Sequence, residues 1–244
     1  MNPNSAIDIS IVIPCYKEEK HILESVTEIY RVMKETERSF EIIFIDDASA
    51  DKTKEKILEI EKSFPNARYL FHEKNRGKGA SIADGVRIAK GKIIGHIDID
   101  LEISAEYLPN VIAEIEKGND IALIKRKINF NPKFILRDVG GMFHRFLVRQ
   151  MLSIPSADVQ SGCKFFRKDV LFSLLEKVKS PGWFFDVELM TYAYKNNYRI
   201  KQIPGYYIRS KTKRSTVNFF SDGIKQVKEL FKFRKRLKRE RISG

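Results

Sequence analysis

The first half of the chain alternates short apolar runs with amphipathic segments, and this alternation constrains the fold more than any other feature. Nearly continuous β-branched runs are typical of strands buried on both faces, and helical spacing between them is typical of covering helices. The predicted strands are Ile7–Ile13, Glu41–Asp46, Arg68–Phe71, Ile93–Asp98 and Ile121–Ile124, and the predicted helices are Ile22–Lys34, Thr53–Lys62, Ala80–Ala89 and Leu108–Lys117. The pattern predicts an α/β fold with a mostly parallel central sheet and helices on both faces.

The second half of the chain is less regular. Residues 126–138, which include Pro132, are predicted to form a loop. Beyond this loop we expect helices at Gly141–Leu152, Lys168–Lys177 and Phe185–Lys195, a strand at Gly162–Arg167, and two extended pieces within Arg199–Arg209. We therefore expect one catalytic domain over residues 1–217, followed by a separate C-terminal helix over residues 218–244.

The net charge of +13 is concentrated near the C-terminus. Fifteen of the 45 Lys and Arg residues, but only three of the 32 Asp and Glu residues, lie between Arg199 and Gly244. The remainder is nearly neutral, which disfavours a nucleic-acid partner and points to a local anionic surface. Two cysteines without CxxC spacing, and no apolar run of transmembrane length, predict a cytoplasmic protein.

The C-terminal helix is predicted to be amphipathic and basic. Its apolar stripe consists of Phe220, Ile224, Val227 and Phe231, beside a face rich in Lys and Arg. Such a helix can lie on an anionic membrane surface, or it can dock its stripe on the catalytic domain and leave the cations in water.

Polar clusters follow four elements of the predicted sheet, at Pro14–Glu19, Asp46–Asp51, Asn75–Gly79 and Asp98–Glu102. Ligands of such sheets bind at the carboxyl ends of the strands. One extended site explains the four clusters better than four unrelated loops.

Asp98 and Asp100 are the candidate metal ligands. Residues two apart in an extended chain point the same way, so both carboxylates can reach one ion, and Glu102 can add a third oxygen. Hard oxygen ligands suit Mg²⁺ or Mn²⁺ and hence a bound diphosphate. A solvated acidic turn is the alternative for a lone pair of this kind.

Two further clusters offer nucleotide contacts. Asp46 can accept hydrogen bonds from a base or a ribose, whereas Asp51 suits the cap of the following helix. The segment Asn75–Gly79 places glycines and Lys78 before a helix, which favours a phosphate. An ordinary glycine-rich loop is the alternative.

The ordered motifs resemble glycosyltransferase family 2, over roughly residues 8–217. The matching blocks are Ile11–Glu19, Asp46–Thr53, Asn75–Ala80, Asp98–Glu102, Asp158–Phe166 and Trp183–Leu189. The last two blocks resemble the polyprenyl-phosphate branch, which includes dolichyl-phosphate mannose and glucose synthases.

The resemblance implies a GT-A nucleotide-diphospho-sugar transferase fold and an inverting transfer of a hexose. The implied donor is a UDP- or GDP-hexose, and the implied acceptor is a polyprenyl or dolichyl phosphate at the cytoplasmic membrane face. The predicted donor-binding residues are Pro14, Tyr16, Glu18, Asp46, Lys78, Asp98, Ile99, Asp100, Arg126, Arg209 and Ser215. This chain departs from the family pattern at Glu102, where many relatives have Gln, and at Lys213–Thr216, which lacks the usual glycine and lysine.

A lipid phosphate is already mostly dianionic at neutral pH, so it needs positive surroundings more than a general base. Arg137, His144, Arg145 and Arg149 are the candidates to receive it, and a solvated basic helix face is the alternative. A hydroxyl acceptor, such as a glycan, would need a base. Asp186 and Glu188 therefore join Asp98 and Asp100 as predicted catalytic residues. A basic module that binds membrane or RNA is the non-enzymatic alternative.

Overall fold

The computed structural model of the chain describes residues 7–128, 135–155, 158–208 and 219–242. Its strands are β1 (Ile9–Cys15), β2 (Phe40–Asp46), β3 (Ala67–Phe71), β4 (Ile93–Ile97), β5 (Ile121–Ile128), β6 (Cys163–Arg167) and β7 (Ile200–Tyr207). Its α-helices are α1 (Ile22–Glu35), α2 (Thr53–Ser63), α3 (Lys78–Ile88), α4 (Leu108–Glu116), α5 (Ile135–Leu152), α6 (Lys168–Leu175), α7 (Phe185–Lys195) and α8 (Phe219–Ile242).

The strands form one seven-stranded sheet in the order β3-β2-β1-β4-β6-β5-β7. Strand β6 runs antiparallel to both of its neighbours, and the other described pairings are parallel. Helices α1, α2 and α4 cover one face, while α3, α5, α6, α7 and α8 cover the other. The predicted α/β architecture, with a mostly parallel sheet between two helical layers, is confirmed.

The predicted loop over residues 126–138 is wrong at both ends. Strand β5 continues to Ile128 because it pairs with β7 along its whole length, from Ile121 opposite Ile200 to Ile128 opposite Tyr207. Helix α5 begins at Ile135, six residues before the predicted start. The sequence pattern missed the end of β5 because Lys125, Arg126 and Lys127 interrupt its apolar run.

Strand β7 is continuous through Pro204 and Gly205, where two separate pieces were predicted. It forms the edge of the sheet, where a proline costs no ladder hydrogen bond on its open side. A side chain at position 205 would have no room, because its Cβ would lie 2.4 Å from Cγ2 of Ile124. The glycine therefore permits a close approach between β7 and β5.

Helix α8 docks on the body of the protein through a stripe other than the one the sequence suggested. Leu230, Phe233 and Leu237 are buried in the core cluster that α5, α6 and α7 share. Ile224 and Phe231 each remain 59% exposed. Helix α8 therefore packs on the catalytic domain, but through residues other than the predicted stripe, of which Ile224 and Phe231 face solvent.

Candidate active site

The carboxyl ends of β1, β2 and β4 meet at one edge of the sheet, as the sequence predicted. The loops after β1 and β2 are tied together there, because the backbone N–H of Lys17 donates to Oγ of Ser49 at 2.9 Å. The N–H of Glu18 similarly donates to Oγ1 of Thr53 at 2.8 Å. The loops that carry two of the predicted polar clusters are thus joined to each other by hydrogen bonds.

Strained backbone marks the same edge. Lys17, Ala48 and Leu101 have left-handed φ angles of 60°, 58° and 46°, and each follows a different strand of the central sheet. Non-glycine residues in this region carry a conformational cost and are concentrated at functional loops. The three loops are therefore held in shapes that the surrounding hydrogen bonds impose.

Asp98 stands at the centre of this edge. Its N–H donates to the carbonyl of Gly162 at 2.9 Å. A Cβ at position 162 would lie 2.5 Å from Oδ2 of Asp98, so a larger residue there would displace the Asp98 carboxylate from its present position. Oδ1 of Asp98 lies 2.6 Å from Nζ of Lys78, and the aspartate side chain is 32% exposed. A ligand can therefore reach Asp98 from solvent.

Lys78 is a charged cation within the site. Burial by itself would lower the pKa of Lys78, but the nearby carboxylates of Asp98 and Asp186 outweigh it and hold the pKa above its ordinary value. The ring centroid of Trp183 lies 4.9 Å from the ammonium nitrogen, within cation–π range. Lys78 therefore has the charge and the position to contact a phosphate beside Asp98.

The glycine-rich loop before α3 is held in place by the carboxylate of Asp47. The Asp47 carboxylate accepts the N–H groups of Arg76 at 2.8 Å and Gly77 at 2.7 Å. Nδ1 of His72 lies 2.7 Å from the same carboxylate, and the N–H of Ala80 donates to the carbonyl of Pro181 at 2.8 Å. The N–H groups of Arg76, Gly77 and Ala80 already have partners within the protein, whereas the Lys78 side chain remains placed to contact a phosphate.

Asp46 lies beneath the loops that it connects. The side chain is buried and accepts hydrogen bonds from the N–H and the hydroxyl of Ser49. Because Ser49 also accepts from Lys17, Asp46 shapes the loops after β1 and β2. Its predicted contact with a nucleotide base stays a prediction.

A buried charged layer lies directly below Asp98 and Lys78. Nζ of Lys164, on β6, donates to Oδ1 of Asp186 at 2.6 Å and to the carbonyl of Ser161, and neither charged side chain is appreciably exposed. Burial lowers the pKa of Lys164, against the attraction of Asp186. Burial, together with the charges of Lys164 and Lys78, holds the pKa of His96 well below its ordinary value, so His96 is neutral.

The predicted three-carboxylate metal site is not assembled. Among the residues that the structure describes, no three His, Cys, Asp or Glu side chains converge on one point. The cause is visible at Glu102, whose Oε2 accepts the hydroxyl of Tyr207, and at Asp98, which faces Lys78. Asp100 accepts the Glu102 N–H at 3.3 Å.

Asp98 and Asp100 nevertheless fit a cation that takes most of its ligands from substrate. Mg²⁺ in phosphate-binding sites commonly takes one or two protein carboxylates, with phosphate and water oxygens completing its shell. The contact between Asp98 and the Lys78 ammonium shows that this carboxylate already binds positive charge. A two-carboxylate site is therefore the form of the metal prediction that the structure allows.

Arg126 is placed at the end of the site by Asp158. Its guanidinium nitrogens Nε and Nη2 both donate to the Asp158 carboxylate. Burial would lower the pKa of Arg126, but Asp158 outweighs it and holds the pKa above its ordinary value. The guanidinium also lies 5.5 Å from the ring centroid of Tyr207. Arg126 is therefore a fixed positive charge on β5, paired with Asp158 and beside Tyr207 of β7.

Helix α5 carries the four predicted acceptor residues, and the structure describes the side chains of three of them. His144 and Arg145 are partly buried, whereas Arg149 is exposed. Burial, and to a smaller extent Arg145, lowers the pKa of His144, so its imidazole is uncharged near neutral pH. His144 can offer a phosphate a hydrogen bond but not a positive charge.

The remaining predicted binding residues lie partly within and partly outside the described residues. Pro14 lies opposite Ile45 in the β1–β2 pairing, Tyr16 is partly exposed, and Ile99 is buried. Arg209 and Ser215 lie outside the described residues, as does the side chain of Arg137. Their predicted roles stay predictions.

The sequence reasoning missed three residues that build the site: Asp47, Asp158 and Lys164. Only Lys164 left a signal, because a lysine inside the apolar run Cys163–Phe166 requires a buried acidic partner. The other two act through partners at least 25 residues away in sequence, and a single sequence does not pair such residues.

Comparison of the sequence with known proteins identifies relatives of most of the chain. A family model described as glycosyl transferase family 2 matches residues 10–174. A dolichyl-phosphate beta-glucosyltransferase of Saccharomyces cerevisiae is 27% identical, over 92% of this chain and 73% of its own length. An enzyme of the same name from Dictyostelium discoideum is 25% identical, over 96% of this chain and 76% of its own length.

The fold also has close counterparts among solved structures. One is glucosyl-3-phosphoglycerate synthase from Mycobacterium tuberculosis, in complex with Mn²⁺, UDP and glucosyl-3-phosphoglycerate. It superposes with a TM-score of 0.67 at 20% identity, covering 93% of this chain and 80% of its own. This likeness confirms the predicted GT-A fold.

Proposed function

The chain belongs to glycosyl transferase family 2, and on that premise we propose that it is an inverting enzyme transferring a hexose to a polyprenyl phosphate, such as dolichyl phosphate. The proposed donor is a nucleotide-diphospho-sugar, either a UDP- or a GDP-hexose. The observation that carries the proposal is the similarity, over 92% of this chain, to a yeast enzyme whose name gives dolichyl phosphate as its acceptor.

The donor diphosphate is proposed to lie beside Asp98, Asp100 and Lys78. A divalent cation, Mg²⁺ or Mn²⁺, held by the two aspartates would stabilise the negative charge of the departing nucleoside diphosphate. Lys78 adds a fixed positive charge at the same place, since its ammonium lies 2.6 Å from Asp98. The Lys78–Asp98 contact and the Trp183 ring together hold this charge before the donor arrives.

The buried carboxylates favour a phosphate acceptor over a hydroxyl acceptor. Asp186 is ion-paired with Lys164 at 2.6 Å, and Glu188 accepts hydrogen bonds from the N–H of Lys179 and the hydroxyl of Ser180. Both carboxylates are at least 95% buried and already engaged, so neither is placed to deprotonate a hydroxyl. A phosphate nucleophile needs no such base.

An acceptor comparison tests this proposal. The full chain, incubated with Mn²⁺ and radiolabelled UDP-glucose or GDP-mannose, should transfer sugar to dolichyl phosphate and not to dolichol, which lacks the phosphate. The labelled lipid should release its sugar in mild acid. Equal transfer to dolichol, or an acid-resistant product, would favour the hydroxyl-acceptor alternative.

The acceptor is proposed to be met at the cytoplasmic face of a membrane, with α5 and α8 forming the contact surface. On α5, an apolar stripe of Val139, Met142, Phe143 and Phe146 is 55–61% exposed, at the i, i+3, i+4, i+7 spacing of one helix face. Ile224 and Phe231 add exposed apolar area on α8, which packs against α5. None of the helices in the described ranges combines the length and apolarity needed to cross a bilayer.

The charge around this surface suits anionic lipid. Exposed cations of α8 include Lys228, Lys232, Lys235 and Arg239, and Arg149 lies on α5. Basic side chains beside an exposed apolar stripe are typical of helices that lie in a membrane interface. The docked stripe of Leu230, Phe233 and Leu237 leaves the cationic face of α8 outward.

Changing Phe143 and Phe146 to serine should weaken sedimentation with vesicles containing phosphatidylglycerol by about tenfold or more, because each exposed ring would bury apolar area in the interface. The matched control is Leu23→Ser on α1, which is 48% exposed on the opposite side of the sheet and should not change sedimentation. Equal sedimentation of the double variant and the control would contradict the proposed membrane surface.

A further inference from the structure

A loop between α6 and α7, residues 179–183, covers the start of α3, where Lys78 lies. The carbonyl of Pro181 accepts the N–H of Ala80 at 2.8 Å. Gly77, with a φ of 96°, approaches the loop so closely that a Cβ would lie 2.7 Å from that carbonyl oxygen. At the end of the loop, the Trp183 ring lies against the Lys78 ammonium. The position of Lys78 therefore depends on the shape of this loop.

Glu188 fixes the other end of the loop. Its Oε2 accepts the N–H of Lys179 at 2.8 Å, and its Oε1 accepts the hydroxyl of Ser180 at 2.7 Å. The Glu188 side chain is 3% exposed. A buried carboxylate that fastens two consecutive residues holds the loop more firmly than neutral hydrogen bonds would.

Arg236 of α8 supplies the counter-charge to Glu188. Its Nη2 lies 2.7 Å from Oε2 of Glu188. The attraction of Glu188 outweighs the effect of burial and raises the pKa of Arg236. One turn earlier on α8, the Phe233 ring packs edge-on against Phe184 at 5.8 Å and Tyr192 at 5.6 Å. Helix α8 thus contacts Glu188, which holds the loop, through the Arg236 guanidinium. It contacts the adjoining core through the Phe233 ring.

We infer that Arg236 and Glu188 are positioning residues, through which the docked α8 helix holds the 179–183 loop, and with it Trp183 and Lys78, at the donor diphosphate. The inference rests on the proposed function only for the identity of that ligand. It gives α8 a part in donor binding in addition to its proposed contact with lipid, and it assigns Glu188 a supporting role where the sequence suggested a catalytic one.

Trp183 is the sole tryptophan of the chain, so its fluorescence reports this loop directly. In Arg236→Met, which keeps an apolar side chain beside the Phe233 ring that the guanidinium now covers, we expect Trp183 to be about twice as accessible to acrylamide as in the wild-type protein. The donor KM should rise about tenfold while kcat falls less than about threefold, because the loop places a binding group. Arg236→Lys should restore both values in large part.

Arg234→Ala is the matched control, because Arg234 is an exposed cation two residues away on α8. It should leave both quenching and KM unchanged, and circular dichroism should show that every variant is folded. Glu188→Gln, which keeps the shape of the side chain, should produce the same changes in quenching and KM. It replaces Arg236→Met as the test if that variant fails to fold.

Wild-type quenching in folded Arg236→Met or Glu188→Gln would overturn the inference, whichever donor the enzyme uses. Altered quenching in a protein that shows no response to any nucleotide sugar would instead support the positioning role and contradict the proposed function. The two failures are therefore distinguishable.

Discussion

Asp100→Ala should lower sugar transfer by about 10²–10³-fold, because the variant loses one of the two protein carboxylates placed to hold a cation at the donor diphosphate. The structural cost of this change should be small. Asp100 lies in the turn after β4, where its side chain is partly exposed and accepts the N–H of Glu102 at 3.3 Å. Calorimetry should show donor binding that no longer responds to Mn²⁺, while the free energy of unfolding changes by less than about 1 kcal/mol.

Glu102→Gln is the matched control for Asp100→Ala. The Glu102 side chain accepts the Tyr207 hydroxyl, and an amide oxygen can accept the same bond. We expect transfer within about threefold of wild type. The reverse result, with an active Asp100→Ala and an inactive Glu102→Gln, would show that Glu102 and not Asp100 holds the cation.

Asp98→Ala would be a less informative variant than Asp100→Ala. Asp98 compensates the charge of Lys78, whose side chain is only 12% exposed. Removing Asp98 would therefore leave a nearly buried ammonium without its nearest partner, and lost activity would mix metal binding with a change of local structure.

The regular part of the fold and the tip of β4 could be predicted because their signals are local. Strands β1 to β4 read as apolar runs, and Asp98 and Asp100 follow the last of them two residues apart. The antiparallel direction of β6 had no such local signal, because it depends on the pairing of β6 with both β4 and β5 in the folded sheet.

The supporting charges of the site could not be predicted for the same reason. Arg126 pairs with Asp158 across 32 residues, and Glu188 pairs with Arg236 across 48 positions of the chain. Single-sequence patterns report which residue types stand near one another along the chain, whereas these pairs exist only after the sheet has formed. Helix α8 shows the consequence, since its amphipathic pattern was visible but its docked stripe was not.

Breaking the ion pair between Lys164 and Asp186 should cause a large loss of stability. In Asp186→Asn the Lys164 ammonium, which is fully buried, loses the carboxylate 2.6 Å away. An uncompensated buried charge typically costs about 3–5 kcal/mol of the free energy of unfolding. Urea denaturation at neutral pH measures this loss. The exposed pair Arg167 and Asp169 is the control, and Asp169→Asn should cost less than about 1 kcal/mol.

The double variant Lys164→Met/Asp186→Leu separates a structural from a catalytic role of Asp186. Replacing both charges with apolar side chains leaves neither unpaired, so most of the lost stability should return. If Asp186 were a general base, transfer would remain about 10²–10⁴-fold lower even in this stable protein. We expect transfer to dolichyl phosphate within about tenfold of wild type, because a lipid phosphate needs no proton removed and Lys78 keeps its nearest carboxylate, Asp98. A stable but inactive double variant would contradict the purely structural role and indicate that Asp186 takes part in the transfer reaction.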